Sequence, residues 1–364
     1  MNIIIPQTID KTGGKRESKI KYPIKIRTDY RNLNAKPHSK IFVCIYKINK
    51  KTEKKFIHKP FLQYLIYKYK DPKNICVFPF KKYKRGITPL NTANNLVNET
   101  IQNNSKCLGF MSWRDNHYFF YKSDQNLSNV QQCDKNNELW WCNIDEICNK
   151  KKLINFHIHE SCYRIFYENP SLIYIYRNKQ KIEIPVVAYY GDTFQLISYI
   201  SSVGLRANSL RMFGPYFYFT SFKKAIAWGS WTSNYKPRFI DKKKITDNNG
   251  KYNKGGIIRY TLFLDKSRVV LYDKKDPIYK TIYTFDNIDK KDSGKFQKMQ
   301  NWTKNYNSLI LGNIKYKKLS GYFNINTEYV VKKFSQQIPM TTHVVDKKLL
   351  KVNWDPNYDF YSIE

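Results

Sequence analysis

The most constraining stretch of the chain runs from Pro185 to Trp231 and reads PVVAYYGDTFQLISYISSVGLRANSLRMFGPYFYFTSFKKAIAWGSW. Val186 to Tyr190 form an apolar run closed by Gly191, the pattern of a buried strand stopped by a turn. Phe194, Ile197, Ile200 and Val203 then recur near helical spacing, and Gly204 supplies a helix stop. Beyond a loop, Phe213-Gly214 precedes a short aromatic strand at Phe217 to Phe219. Ser221 stands where it would cap a helix carrying Phe222, Ala225 and Ile226. Strands and short helices in this succession predict an α+β fold.

Three downstream pieces continue the pattern. Gly255-Gly256 leads into the strand-like IIRYTLFL, Asn305-Tyr306-Asn307-Ser308-Leu309 follows, and Asn326-Thr327-Glu328-Tyr329-Val330-Val331 precedes Gln336, Gln337 and Pro339. Together with Tyr190-Gly191, Gly204-Leu205, Phe213-Gly214 and Tyr218-Phe219, this order resembles the catalytic domain of poly(ADP-ribose) polymerases, from Lys181 to Lys351. The resemblance implies an ADP-ribosyltransferase-like split β-sheet with short helices. It also implies NAD as cofactor and cleavage of the bond between nicotinamide and ribose, with positive charge building on the sugar.

By the same resemblance, Gly191 meets the carboxamide, Tyr218 stacks on the nicotinamide ring, and Glu328 is the catalytic carboxylate. Tyr190 occupies the place of the family's ribose-holding His, and Lys224 that of the carboxamide-binding Ser, although an ammonium has no acceptor to offer. The second stacking Tyr falls at Ala227, with Trp228 able to fill in if the helix shifts by one residue. These departures imply a degenerate, non-catalytic relative that needs no cofactor. The competing reading is an active mono-ADP-ribosyltransferase with Glu328, Tyr218 and Tyr190 as catalytic residues and Gly191, Tyr218 and Trp228 holding NAD. The plain alternative makes Tyr190 and Tyr218 core aromatics and Glu328 a solvated strand end.

Charge points to partners. The chain carries 64 Lys and Arg against 29 Asp and Glu, a formal net charge of +35, which favours an acidic partner such as DNA or an anionic capsid or protein surface. The positive residues are dispersed in clusters, among them Lys81 to Arg85, Lys150 to Lys152 and Lys242 to Lys244. Lys outnumbers Arg, which suits diffuse phosphate attraction better than bidentate base reading. Richness in Lys, Asn, Ile and Tyr also matches an AT-rich genome. Hydrophobic residues at 41% place the chain among globular rather than disordered proteins.

The N-terminal half divides into a basic arm over 1–34 and a mixed α/β domain over 35–180, with 181–364 as the ADP-ribosyltransferase-like domain. Ile41 to Ile48 is a strand candidate, Phe61 to Tyr69 a strand or short helix, and Cys76 to Phe80 an edge or strand end because of its Pro. Thr92 to Ile101 reads as a helix with Ala93, Leu96, Val97 and Ile101 on one face. Cys107 to Met111 and His117 to Lys122 read as a hairpin around Trp113-Arg114-Asp115-Asn116. Leu139 to Cys148 is read as a helix. Leu153 to His159 pairs with Cys162 to Phe166, and Leu172 to Tyr176 and Ile182 to Ile184 continue the strands.

All seven Cys lie in this half, and Cys142, Cys148, His157 or His159, and Cys162 suggest zinc. Their spacings match no familiar zinc pattern and include no Cys-x-x-Cys knuckle, so no metal is assigned. Trp113, Trp140 and Trp141 among lysines offer base stacking as a further reading, that of a nucleic-acid-binding protein. The odd cysteine count and the absence of a signal-like N-terminus or a long apolar run predict a protein that is not secreted and has no transmembrane segment.

The fragments KPFLQYLIYKYKD, CVFPFKKY, CLGFMSW and GPYFYF with GGIIRY also resemble proteins of nucleocytoplasmic large DNA viruses. That resemblance implies a structural or assembly component, a minor capsid or virion-associated protein. It places the chain in the host cytoplasm or nucleus, at the virus factory, and in the virion among other virion proteins.

Overall fold

The computed structural model describes most of residues 35–123, 131–143, 181–229, 255–278, 300–311 and 328–345, with short strand pieces at 25–27, 157–158, 172–175, 239–240 and 243–244. The fold is mixed α and β and dominated by sheet. The first sheet holds β1 (Lys25–Arg27), β2 (Lys40–Lys50), β3 (Pro60–Tyr69), β4 (Ile75–Val77), β5 (Phe80–Lys82), β6 (Cys107–Trp113), β7 (Asn116–Lys122), β8 (Gln131–Asp134), β9 (Asn137–Asn143), β10 (His157–Ile158) and β11 (Leu172–Ile175). Helix α1 (Pro89–Ile101) connects β5 to β6.

The apolar run of β2 is explained by cover on both faces. Ile41, Val43 and Ile45 meet Ala93, Leu96, Val97 and Ile101 of α1, while Phe42, Cys44 and Tyr46 join a second core on the opposite face. Period-two alternation along the strand produces that division. The helix-facing residues of α1 are those its spacing predicts, and Thr88 caps it by accepting from Asn91 N at 3.1 Å. The hairpin of β6 and β7 pairs Trp113 with Asn116, and β2 pairs β7 in parallel from Ile41↔His117 to Tyr46↔Lys122.

The second sheet runs β12-β18-β19-β20-β14-β13-β17-β21. Its members are β12 (Lys181–Ile182), β13 (Val186–Thr193), β14 (Phe217–Thr220), β17 (Gly255–Leu262), β18 (Asp265–Val270), β19 (Ser308–Leu311), β20 (Glu328–Val331) and β21 (Gln337–Val345). A separate pair, β15 (Phe239–Ile240) and β16 (Lys243–Lys244), stands apart. Helix α2 (Phe194–Val203) starts at Thr193, whose side chain accepts from Leu196 N. It ends at Gly204, where φ of 89° suits a residue without Cβ.

One apolar cluster joins the two sheets. Phe42, Tyr46, Leu62, Tyr64 and Phe120 belong to it with Val186, Ala188, Ile197, Phe219, Ile258 and Tyr260. At the crossing, the Tyr46 hydroxyl donates to the Glu183 carbonyl at 3.0 Å, and its ring lies 6.2 Å from that of Phe263.

Several expectations change. The strand expected to stop at Gly191 runs on to Thr193, because Gly191, Asp192 and Thr193 pair with Ile257, Gly256 and Gly255 of β17. Leu139 to Asn143 form a strand rather than a helix, paired with β3 along its length. Leu139 and Trp141 face the α1 side, and Trp140 and Cys142 face the joint core, so both faces of β9 are apolar and helical spacing is mimicked. Phe61 to Tyr69 is a strand for the same reason. The expected Leu153–His159 and Cys162–Phe166 pair lies outside the described residues except for β10, which pairs β4 in parallel. Among the described residues no helix is long and apolar enough to cross a membrane.

Candidate functional site

The residues singled out in sequence converge on the middle of the second sheet. Tyr189 of β13 pairs with Thr220 of β14, and Thr220 pairs with Glu328 of β20. Directly paired residues share a face, so these three form a line across the sheet. Helical residues 224–226 cover that face, with Ala225 and Ile226 packed on Val187, Tyr189 and Ile257. The Ser221 carbonyl accepts from Ala225 N at 3.0 Å, whereas the Ser221 Oγ makes no hydrogen bond and so is not the expected side-chain cap.

This cover brings a cation onto the candidate carboxylate. Lys224 Nζ donates to Glu328 Oε1, with the lysine side chain 2% exposed and the glutamate 18%. The pair sets a counter-charge against a lysine in a desolvated place.

Gly191 lies under the same cover. A Cβ at this position would stand 1.8 Å from the Ala225 carbonyl oxygen. The glycine thus permits contact between strand and helical backbone. Gly229 makes a similar approach, where a Cβ would lie 2.9 Å from the Gly256 carbonyl oxygen. Tyr190 points away from Gly191, as neighbours on a strand must. It packs against the joint core, and its hydroxyl donates to Asp192 Oδ2 at 3.3 Å. The buried Asp192 also accepts from Thr193 N at 2.8 Å through Oδ1.

Tyr218 serves the loop before β14. Its hydroxyl accepts from Phe213 N and donates to the Gly214 carbonyl, both at 2.9 Å. Its ring packs beside a cluster that includes Phe213, Trp302, Leu309 and Val330. Trp228 is half-buried beyond the 224–226 turn, and Ala227 lies outside the described residues. Glu328, Lys224 and Gly191 therefore share one covered corner. Tyr190 lies on the opposite face, and the Tyr218 hydroxyl is engaged in its own loop.

Sequence reasoning missed Arg259. It is 1% exposed on β17, opposite Tyr189. A lone charge inside the apolar run IIRYTLFL was its only signal. Burial raises the phenol pKa of its neighbour Tyr260 well above the ordinary value of 10.0. With Lys224 and Asp192, Arg259 makes this the charged interior of the second sheet.

The metal candidates do not assemble among the described residues. Cys142 is buried on β9, His157 lies on β10, and Cys148, His159 and Cys162 fall outside the described residues. No group of three or more His, Cys, Asp or Glu among the described residues is placed to hold a metal. Of the aromatic candidates, Trp141 carries the Lys47 ammonium 4.4 Å from its ring centroid, and Trp140 packs against the joint core.

No protein-family model matches the chain, and no curated protein does. Among solved structures, a mutT/nudix family protein from Listeria innocua is similar at 8% identity with a TM-score of 0.25, over 32% of this chain and 83% of that one. The resemblance to poly(ADP-ribose) polymerases is therefore overturned, and with it the resemblance to proteins of large DNA viruses. The physical reason lies in composition. Short fragments rich in Gly and aromatics recur readily in strands of a chain with 30 Tyr and 22 Phe.

Proposed function

We propose that this protein is a non-catalytic, basic binding or assembly component that docks onto an acidic macromolecular partner. The observation that carries the non-catalytic part is the Lys224–Glu328 pair. A carboxylate held by a buried ammonium is a poor stabiliser of a developing cation, since its charge is already compensated. The backbone cover over Gly191 supports the same reading, because the Ala225 carbonyl closes the face of β13 on which the pair lies.

The net charge of +35 supports the partner. Such an excess repels itself, and an anionic surface relieves that repulsion. Two measurements test the reading. Incubation with millimolar NAD should release no nicotinamide; release that Glu328→Gln abolishes would overturn the non-catalytic assignment. Affinity for heparin, used as a generic polyanion, should fall steeply between 50 and 200 mM salt, about as counterion release requires. Salt-independent binding, or none, would remove the acidic partner.

A further inference from the structure

The described surface concentrates unpaired positive charge at one place, the edge of the first sheet where β5 leads into α1. Residues 81–88 read KKYKRGIT, and all but the half-buried Tyr83 are exposed. Register sets Lys82 beside Lys40, and the Tyr83 amide donates to the Ser39 carbonyl at 2.8 Å, which brings the turn at 36–39 alongside. Lys36, Lys40, Lys81, Lys82, Lys84 and Arg85 therefore share one edge.

Two carboxylates answer them. Asp115 takes Lys36 and His38, each at 3.1 Å, and Glu99 takes Lys81 at 2.5 Å. Lys40 is laid over the Phe80 ring, 5.0 Å from its centroid. Lys82, Lys84 and Arg85 have no acidic partner among the described residues. Gly86, with φ of 89° and open space about its Cα, turns the chain directly after them.

We infer that Lys82, Lys84 and Arg85 form a contact surface for the phosphate backbone of duplex nucleic acid. This deepens the proposed function and rests on its acidic partner. From Lys82 to Arg85 the chain spans about 10 Å at most, a length over which a duplex presents roughly six phosphate charges. Two features favour duplex backbone over other polyanions. The aromatic rings beside the patch are occupied, Phe80 by Lys40 and Tyr83 by its packing on the α1 core, so no platform is left for stacking single-stranded bases. Ile87, 43% exposed, is the only large apolar side chain presented along 81–88, too little for insertion into a lipid surface. With Lys outnumbering Arg, the contact positions a duplex without reading its sequence.

The test measures binding of the full chain to a mixed-sequence DNA duplex across a salt series. The triple variant Lys82→Gln, Lys84→Gln, Arg85→Gln is set beside a control that removes equal charge from exposed positions elsewhere, Arg206→Gln, Lys266→Gln, Lys304→Gln. The patch variant should lower the slope of log K against log salt by about 2.7, at roughly 0.9 per phosphate contact, while the control leaves it unchanged. Equal losses in both variants would overturn the patch and leave a basic protein with a diffuse partner. Heparin binding without duplex binding would overturn the nucleic-acid assignment alone. Tighter binding to anionic phosphatidylserine vesicles or to a poly-glutamate peptide than to the duplex would overturn it as well. All substituted residues are exposed, so matching melting curves are expected for the three proteins.

Discussion

Lys224 and Glu328, 104 residues apart in the chain, form an ion pair on the covered face of the second sheet. The two ends differ in exposure, 2% for Lys224 against 18% for Glu328, and that asymmetry sets the outcome of substitution. Glu328→Ala takes the carboxylate from a lysine that water cannot reach, and should cost about 3–5 kcal/mol. Lys224→Met leaves a carboxylate that can recover some hydration, and should cost less. The double variant Lys224→Met, Glu328→Leu should recover much of the loss. Urea denaturation of the three proteins checks the order.

His117 should make the fold acid-sensitive. It is 4% exposed, its Nδ1 lies 2.8 Å from Ser112 Oγ, and burial lowers its pKa from 6.5 to about 4. The folded state thus binds this proton less readily than the unfolded chain. The His117 contribution is complete above pH 6.5 and is lost as pH falls towards 4, a change of about 3 kcal/mol. His117→Gln should flatten that part of the profile, measured as urea midpoints between pH 7.5 and 4.

Gly191→Ala should destabilise far more than Gly86→Ala. At Gly191 the new methyl meets a backbone carbonyl at 1.8 Å, and only movement of the 224–226 turn can relieve it, at a cost of about 3 kcal/mol or more. At Gly86 the surroundings are open, and the cost is the left-handed backbone alone, about 1–2 kcal/mol. Thermal melts of the two variants decide between packing and conformation as the reason for each glycine.

Tyr46 ties the two sheets. Tyr46→Phe keeps the ring near Phe263 and removes the hydrogen bond to the Glu183 carbonyl, about 1 kcal/mol. Tyr46→Ala also empties a site in the joint core and should cost about 3–5 kcal/mol. Because that core is continuous across the sheets, near- and far-ultraviolet dichroism should report one unfolding transition in the parent protein.

Much of the local structure was legible in the sequence, because it depends on neighbours in the chain. The spacing of Ala93, Leu96, Val97 and Ile101 gave α1, Gly204 marked the end of α2, and the apolar runs at Ile41 and Val186 announced strands, which the structure buries on both faces. The run at Leu139 misled, since a strand covered on both sides loses the alternation that distinguishes it from a helix.

Tertiary structure decided what chain order cannot encode. Gly191 looked like a turn and is a contact point for the Ala225 backbone, which becomes visible only once β13 and the 224–226 turn meet. In sequence Lys224 is a misfit and Glu328 a candidate carboxylate with nothing to link them, and only the pairing of β14 with β20 makes them partners. The sequence determined which segments must be buried and how much positive charge the surface must carry. Strand pairing over distances of tens to hundreds of residues determined which charges meet a counter-ion inside and which, as at Lys82, Lys84 and Arg85, are left facing solvent.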